Sequence, residues 1–327
     1  MTLSTFFRAA NAATATGLLL VSASASALAI AEPAPIFSGL VVFGDSLSDN
    51  GRLFALDGGT FPLAPYFQGR FSNGPVAVER LAAGLNLSGA QFQDLAIAGA
   101  TTGTAGPFGA GAGIAFGGGM LQQLGGYSAA LAGAGATADS QALYFVWGGA
   151  NDLRAAGAGA GAAIAPTINN LVNIVTTLHG LGARNFMLPN LPDLGLTPEA
   201  REAGVSASAS LVSGAFNQQL SLAYASLAQT WTDEHFYYVD AMGAQQAITS
   251  GSPGNGFTNV STGCITTAGC VAADGAGFLY WDQIHPTAVT HQLLGNAMLA
   301  AVPEPASMLL MAAGLLTVIG LGRRRQA

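Results

Sequence analysis

Ser46 closes a sharp change in the chain: the apolar run Leu40-Val41-Val42-Phe43 ends in Gly44-Asp45-Ser46-Leu47. A serine placed where a buried strand must turn is a candidate nucleophile, but its hydroxyl attacks poorly until a base removes the proton. Histidine is the usual base at neutral pH, and the chain holds four. His179 falls near a predicted helix end, His235 in the polar cluster Asp233-Glu234-His235, and His291 on the last predicted helix, all ordinary structural or solvated settings. His285 differs. It lies in Trp281-Asp282-Gln283-Ile284-His285-Pro286, with a carboxylate three residues before it and a proline restricting its backbone. That spacing lets Asp282 hold one ring nitrogen and turn the other toward a serine. Ser46, His285 and Asp282 are therefore the candidate nucleophile, base and orienting carboxylate of acyl transfer.

Acyl transfer builds negative charge on an oxygen, which needs hydrogen-bond donors. Two further short blocks lie between the serine and the histidine: Ala98-Gly99-Ala100 and Gly148-Gly149-Ala150-Asn151-Asp152. The backbone N–H groups of Ser46 and Gly99 and the side-chain amide of Asn151 are the candidate oxyanion donors. Gly99 suits the task because, without a Cβ, its backbone can approach a ligand closely. Asp45, Asp49 and Asp152 read as turn or cap groups. A Gly-x-Ser-x-Gly elbow describes the site less well, since Ser48 replaces its second glycine and the carboxylate sits beside the histidine.

Alternating strands and helices must position these blocks. The predicted strands cover 40–43, 93–98, 143–147, 185–188 and 236–239, each apolar or aromatic. The predicted helices cover 74–85, 163–181, 207–231, 241–249 and 286–302. In 163–181, Ile164, Ile168, Leu171, Val175 and Leu178 define the inward face. The glycine-rich stretch 103–119 lacks periodicity and reads as a long loop. Strands alternating with helices of this length imply βαβ units, a parallel sheet with helices on both faces, and a site at the C-terminal strand ends.

Together the blocks resemble the SGNH, or GDSL, hydrolase family. Block one is Phe43-Gly44-Asp45-Ser46-Leu47-Ser48-Asp49-Asn50-Gly51, block two centres on Gly99, block three is Gly149-Ala150-Asn151-Asp152, and block five is Asp282-Gln283-Ile284-His285-Pro286. The resemblance spans nearly all of residues 38–301. It implies a three-layer α/β/α sandwich with a flavodoxin-like parallel sheet, the SGNH hydrolase fold. It also implies a serine nucleophile at Ser46, oxyanion donors at Gly99 and Asn151, and a His285–Asp282 base pair. Arg70-Phe71-Ser72-Asn73-Gly74-Pro75-Val76 further resembles the lipase/esterase branch of the family. Block two departs from that branch, opening with Asp94-Leu95-Ala96 where Asn-Tyr-Ala is common, which bears on what supports Gly99.

The ends of the chain carry addresses. Residues 1–31 hold a single charge, Arg8, then an apolar stretch and a run of small residues, the pattern of a secretory signal. Ala27-Leu28-Ala29 and Ala29-Ile30-Ala31 both fit the cleavage rule, placing the mature start at Ile30 or Glu32. At the other end Val302-Pro303-Glu304-Pro305 precedes an uncharged stretch, 306–322, and then Arg323-Arg324-Arg325. This order resembles the PEP-CTERM sorting signal, which implies an exosortase-type machinery and a transient C-terminal anchor in the inner membrane; a plain anchor has the same topology. The stretch is marginal as a span, against the roughly 20 residues usually needed. Arginines after it would stay cytoplasmic, placing the main domain beyond the inner membrane: periplasmic, at the cell surface or extracellular after sorting. The expected organisation is a signal peptide at 1–31, one hydrolase domain at 32–302 and a sorting signal at 303–327.

The domain is acidic overall. The chain carries a net charge of −7, only 8% of its residues are charged, and its basic side chains are all arginine. That balance argues against nucleic acid as a partner. Cys264 and Cys270, the only cysteines, sit in a Gly/Thr/Ala-rich loop and would reach an oxidising compartment, so a local disulfide is expected. Two thiols without nearby histidines do not suggest a zinc site, and neither metal nor organic cofactor is indicated. The expected activity is that of a secreted serine hydrolase, an esterase or lipase working through an acyl-enzyme on Ser46. Its substrate would be a lipid, short-chain ester or acetylated glycan. The alternatives are a deacetylase of extracellular polysaccharide and a non-catalytic glycan- or lipid-binding matrix protein on the same fold.

Overall fold

Five strands form a parallel sheet, and its three central strands are buried on both faces. In the computed structural model, which describes residues 36–106, 118–251 and 256–302, the five are β1 (Leu40–Gly44), β2 (Phe92–Asp94), β3 (Leu143–Trp147), β4 (Asn185–Pro189) and β5 (His235–Val239). The strand order is β2-β1-β3-β4-β5, and every pairing is parallel. All residues of β1, β3 and β4 are buried, as a sheet covered on both sides requires.

Successive side chains alternate between two cores. Val41, Phe43, Tyr144, Val146, Phe186 and Leu188 face one side. Leu40, Val42, Leu143, Phe145, Trp147 and Met187 face the other. The helices are α1 (Arg52–Leu56), α2 (Ala77–Gly84), α3 (Met120–Gly133), α4 (Ala150–Ala156), α5 (Ala160–Leu181), α6 (Pro198–Glu202), α7 (Ser206–Thr230), α8 (Ala241–Thr249) and α9 (Ala288–Ala300). Buried residues of α3, α5 and α7 join the first core, and those of α2 and α9, with Ala241 of α8, join the second. The result is a three-layer α/β/α sandwich with a flavodoxin-like sheet, as the sequence implied.

The order 2-1-3-4-5 places the topological switch between β1 and β3, where an open α/β sheet leaves a crevice at its C-terminal edge. Ser46 leaves β1 and Asn151 leaves β3 at that edge. A separate parallel pair, β6 (Asn259–Gly263) with β7 (Phe278–Tyr280), leads directly into Trp281-Asp282.

Several boundaries differ from expectation. The strand expected at 93–98 ends as β2 at Asp94, although the N–H groups of Leu95 and Ile97 still reach the β1 carbonyls of Val42 and Gly44 at 2.9 and 3.2 Å, while those of Ala96 and Ala98 go to the Asp94 and Asp49 carboxylates at 3.0 and 2.7 Å. The helix expected from Gly74 starts at Ala77, where the Glu79 carboxylate caps the N–H of Val76 at 2.9 Å. The last helix starts at Ala288, because Pro286 is bridged to Tyr280. Helix α3 was not expected, although its buried Met120, Gln123, Leu124 and Tyr127 keep helical spacing.

The expected signal segment, the sorting tail and residues 107–117 of the glycine-rich loop lie outside the described residues. Among those described, no helix is long and apolar enough to cross a membrane.

Candidate active site

The turn after β1 is built by two carboxylates. Asp45 accepts the N–H of Leu47 on its side chain at 3.0 Å, and its carbonyl accepts those of Ser48 and Asp49 at 3.0 and 2.9 Å. Asp49 takes the N–H groups of Gly51 and Leu53, and then reaches across to Ala98, the residue before Gly99. It is more than a local cap, since it joins the serine turn to block two. The end of β1 is pinned by Gln123, which accepts the Gly44 N–H at 3.0 Å and donates to the Gly44 carbonyl at 2.8 Å.

The histidine loop is held as tightly. Asp282 Oδ1 accepts the N–H groups of Ile284 and His285 at 2.9 and 2.7 Å, and Oδ2 lies 2.7 Å from His285 Nδ1. The hydroxyl of Tyr66 donates to that same Oδ2 at 2.8 Å. Burial pushes the Asp282 carboxyl up, but the charge and hydrogen bonds of His285 and the two backbone donors outweigh it and hold its pKa down at about 2. Asp282 is thus ionised throughout the neutral range. A carboxylate only accepts, so the imidazole carries its proton on Nδ1 and presents Nε2 as an acceptor.

His285 Nε2 lies 2.8 Å from Ser46 Oγ. Ser46, Asp282 and His285 are each buried, and the ring of Phe71 packs 5.0 Å from the His285 ring. The structure therefore brings together the three residues that the sequence singled out. This arrangement can draw the Ser46 proton onto the imidazole as the oxygen attacks.

The expected oxyanion donors surround the same turn. Asn151, in the first turn of α4, donates from Nδ2 to the Ala100 carbonyl at 3.0 Å. Gly99 is buried with φ +80°, a left-handed conformation that favours glycine. Among the described residues, no protein acceptor takes the N–H of Ser46 or of Gly99. Asp152 supports the loop beyond by accepting the N–H and hydroxyl of Thr102 at 2.9 and 2.7 Å. The Asp94 carboxylate, where the family branch has asparagine, accepts the N–H groups of Ala96 and Asn50.

A cavity of about 70 Å³ opens beside Ser46, Asn151 and His285; Gly99 is not among its lining residues. Its walls are mostly apolar, from Leu47, Trp147, Leu194, Ala241, Ile248, Leu279, Ile284 and Leu294. Asp45 also lines it, and burial raises its carboxyl to about 6 against the lowering effect of the Leu47 N–H.

Cys264 and Cys270 form the expected disulfide, packed on Trp281 and beside Tyr66. The Ile265 N–H donates to the Trp281 carbonyl at 2.9 Å, so the residue after Cys264 is tied to the residue before Asp282. Among the described residues no cluster of His, Cys, Asp or Glu could hold a metal ion.

The three other histidines stay out of this site. His179 bonds Glu234 at 2.8 Å and stacks on Trp231. His235 is exposed, and His291 is fully buried, accepting the N–H of Ala77.

Sequence reading did not find Tyr66, Phe71, Gln123, Arg154 or Glu199 near the site. Two carried a local signal: Phe71, inside the block 70–76 that resembles the lipase/esterase branch, and Arg154, three residues after Asn151 and so on the same face of α4.

Known proteins resemble this chain along most of its length. The family described as GDSL-like lipase/acylhydrolase matches residues 40–298. A PEP-CTERM protein-sorting motif, a signal for export and sorting, matches residues 301–326. A phosphatidylcholine-sterol acyltransferase from Aeromonas hydrophila is 29% identical, over 85% of this chain and 91% of that protein. A thermolabile hemolysin from Vibrio parahaemolyticus is 26% identical, over 80% of this chain and 62% of its own length. A solved G-D-S-L lipolytic protein from Veillonella parvula is 16% identical over 80% of this chain and 96% of that one, with a TM-score of 0.45.

Proposed function

The chain belongs to the GDSL-like lipase/acylhydrolase family, and from that premise we propose that it is an exported serine hydrolase that cleaves carboxylic esters of aliphatic acids through an acyl-enzyme on Ser46. The observation that carries this reading is the contact of Ser46 Oγ with His285 Nε2 at 2.8 Å, beside an apolar cavity.

In the reaction, Ser46 Oγ attacks the ester carbonyl carbon while its proton passes to His285 Nε2. Asp282 holds the imidazolium through Nδ1. Negative charge on the former carbonyl oxygen meets the N–H groups of Ser46 and Gly99 and the amide of Asn151, one such donor being worth about 3 to 4 kcal/mol in the transition state. The leaving alcohol takes the proton back from His285, and the acyl group remains on Ser46. A water, deprotonated by the same nitrogen, then releases the acid and restores the serine.

The cavity favours an acyl chain over acetyl. On the scale where one water needs about 10–15 Å³, it has room for about five water-sized groups. An acetyl group would leave its apolar walls unfilled, so a polysaccharide deacetylase has less support. Burying each methylene is worth about 0.8 kcal/mol, so kcat/KM should rise about fourfold per methylene until the cavity fills near about six carbons. A p-nitrophenyl ester series from acetate to dodecanoate tests this, with Ser46→Ala as control. A flat series or acetate preference rejects the acyl-chain reading, and turnover by Ser46→Ala rejects the mechanism. A folded chain inert to the whole series and to fluorophosphonate would instead favour the binding-protein alternative. The sorting motif supports delivery beyond the inner membrane by an exosortase-type machinery, with the tail as a transient anchor.

A further inference from the structure

We propose that Arg154, clamped by Glu199, is a positioning residue that holds the Asn151 amide in the one orientation that leaves an N–H free for the reacting oxygen. The inference rests on the ester-hydrolase reading and adds to it a pair of residues that neither the motif nor the triad accounts for.

An asparagine amide can be turned over, exchanging oxygen and nitrogen at almost no steric cost, so its orientation must be set by its partners. Here both partners are chemically unambiguous. The Arg154 Nη1 lies 3.3 Å from Asn151 Oδ1, and a guanidinium can only donate. The Ala100 carbonyl lies 3.0 Å from Asn151 Nδ2 and can only accept. Turning the amide over would set its NH₂ against the cation and its oxygen against the carbonyl, two repulsive contacts in place of two hydrogen bonds. One N–H goes to Ala100. The other remains for the cavity that Asn151 shares with Ser46.

Arg154 is itself fixed. Its Nε and Nη2 reach the two carboxylate oxygens of Glu199 at 2.8 and 2.7 Å, a fork geometry that sets the guanidinium plane. Glu199 sits in the first turn of α6, which Thr197 caps through the Ala200 N–H at 3.2 Å. The N–H of Glu199 donates to the Gln283 carbonyl at 3.0 Å, one residue from Asp282. The oxyanion amide and the loop carrying the base are thus referenced to a single short helix. The side chains of Arg154 and Glu199 are 30% and 46% exposed, and so open an ion pair adds little to stability. Its geometric consequence is the larger one.

The test is a mutant cycle in the full chain. Arg154→Gln should lower kcat roughly ten- to a hundredfold with KM within about twofold, and Asn151→Ala by roughly a hundred- to a thousandfold. Adding Arg154→Gln to Asn151→Ala should cost nothing further, because the amide it positions is gone. Glu199→Gln, at a half-exposed site, should behave as a weaker Arg154→Gln and show the same absence of additivity, which keeps the cycle informative if the arginine variant folds poorly. Arg154→Lys, a single donor without the fork, should restore only part of the rate. Equal losses from Arg154→Gln with and without Asn151 would overturn the proposal, as would a change confined to KM. If wild type neither hydrolyses esters nor reacts with a fluorophosphonate, the hydrolase reading falls and this proposal with it. An active wild type with an additive cycle removes the proposal alone.

Discussion

The hydroxyl of Tyr66 donates to Asp282 Oδ2 at 2.8 Å, the oxygen that also faces His285 Nδ1 at 2.7 Å. Tyr66 reaches Asp282 across 216 positions of sequence, so the phenol fixes the carboxylate that fixes the imidazole. Tyr66→Phe keeps the ring packed beside Phe71 and removes only the donor. It should lower kcat/KM about tenfold, the ~1.5 kcal/mol expected for losing one hydrogen bond to a charged group. Full activity in steady-state kinetics would show that Asp282 does not need this support.

Asp45 works against folding at neutral pH. Its folded pKa is raised to about 6 from 3.8, first by burial. Between those two values the folded state holds a proton that the unfolded state has released, and above them the folded state carries a buried charge. This group's stabilising contribution is present below the ordinary carboxylate pKa of 3.8 and is lost as pH rises through about 6. Asp45→Asn, which still offers an oxygen to the Leu47 N–H, should stabilise the protein by about 2–3 kcal/mol at pH 8. At pH 3.5 it should make little difference. Thermal melts at the two pH values check the sign, and a gain larger in acid would contradict it.

Loss of the Cys264–Cys270 bridge should cost about 2–3 kcal/mol, the value for a short closed loop. Because the pair packs on Trp281, activity should fall with stability. A melt of the double serine variant, or of wild type with reductant, measures the first effect, and ester turnover below the melting range measures the second.

Ile248 lines the cavity from α8. Ile248→Phe should shorten the preferred acyl chain, reducing kcat/KM on hexanoate about tenfold while acetate hydrolysis changes less than about threefold. A parallel loss on both esters would place the acyl chain elsewhere.

The fold was legible because its signals are local. Strands such as Leu143–Trp147 are continuous apolar runs, and the inward face read for 163–181 is the buried face of α5. The members of the candidate site were legible because short blocks of unusual type stand at the turns leaving β1 and β3 and in the loop after β7. Their supports were not. Tyr66 reaches Asp282 and Gln123 reaches Gly44 only through tertiary folding, and neither residue type is distinctive at its position. Likewise, just past β2 the carboxylates of Asp94 and Asp49 take the N–H groups of Ala96 and Ala98, contacts that strand propensity does not register.

The central claim is that Ser46 is a nucleophile activated by His285. Reaction of the folded chain with a fluorophosphonate, followed by peptide mass spectrometry, tests it most directly. The account expects one covalent adduct on Ser46, absent in Ser46→Ala and formed at least about a hundredfold more slowly in His285→Ala. An adduct on another residue, or labelling of Ser46 at an unchanged rate without His285, would contradict it.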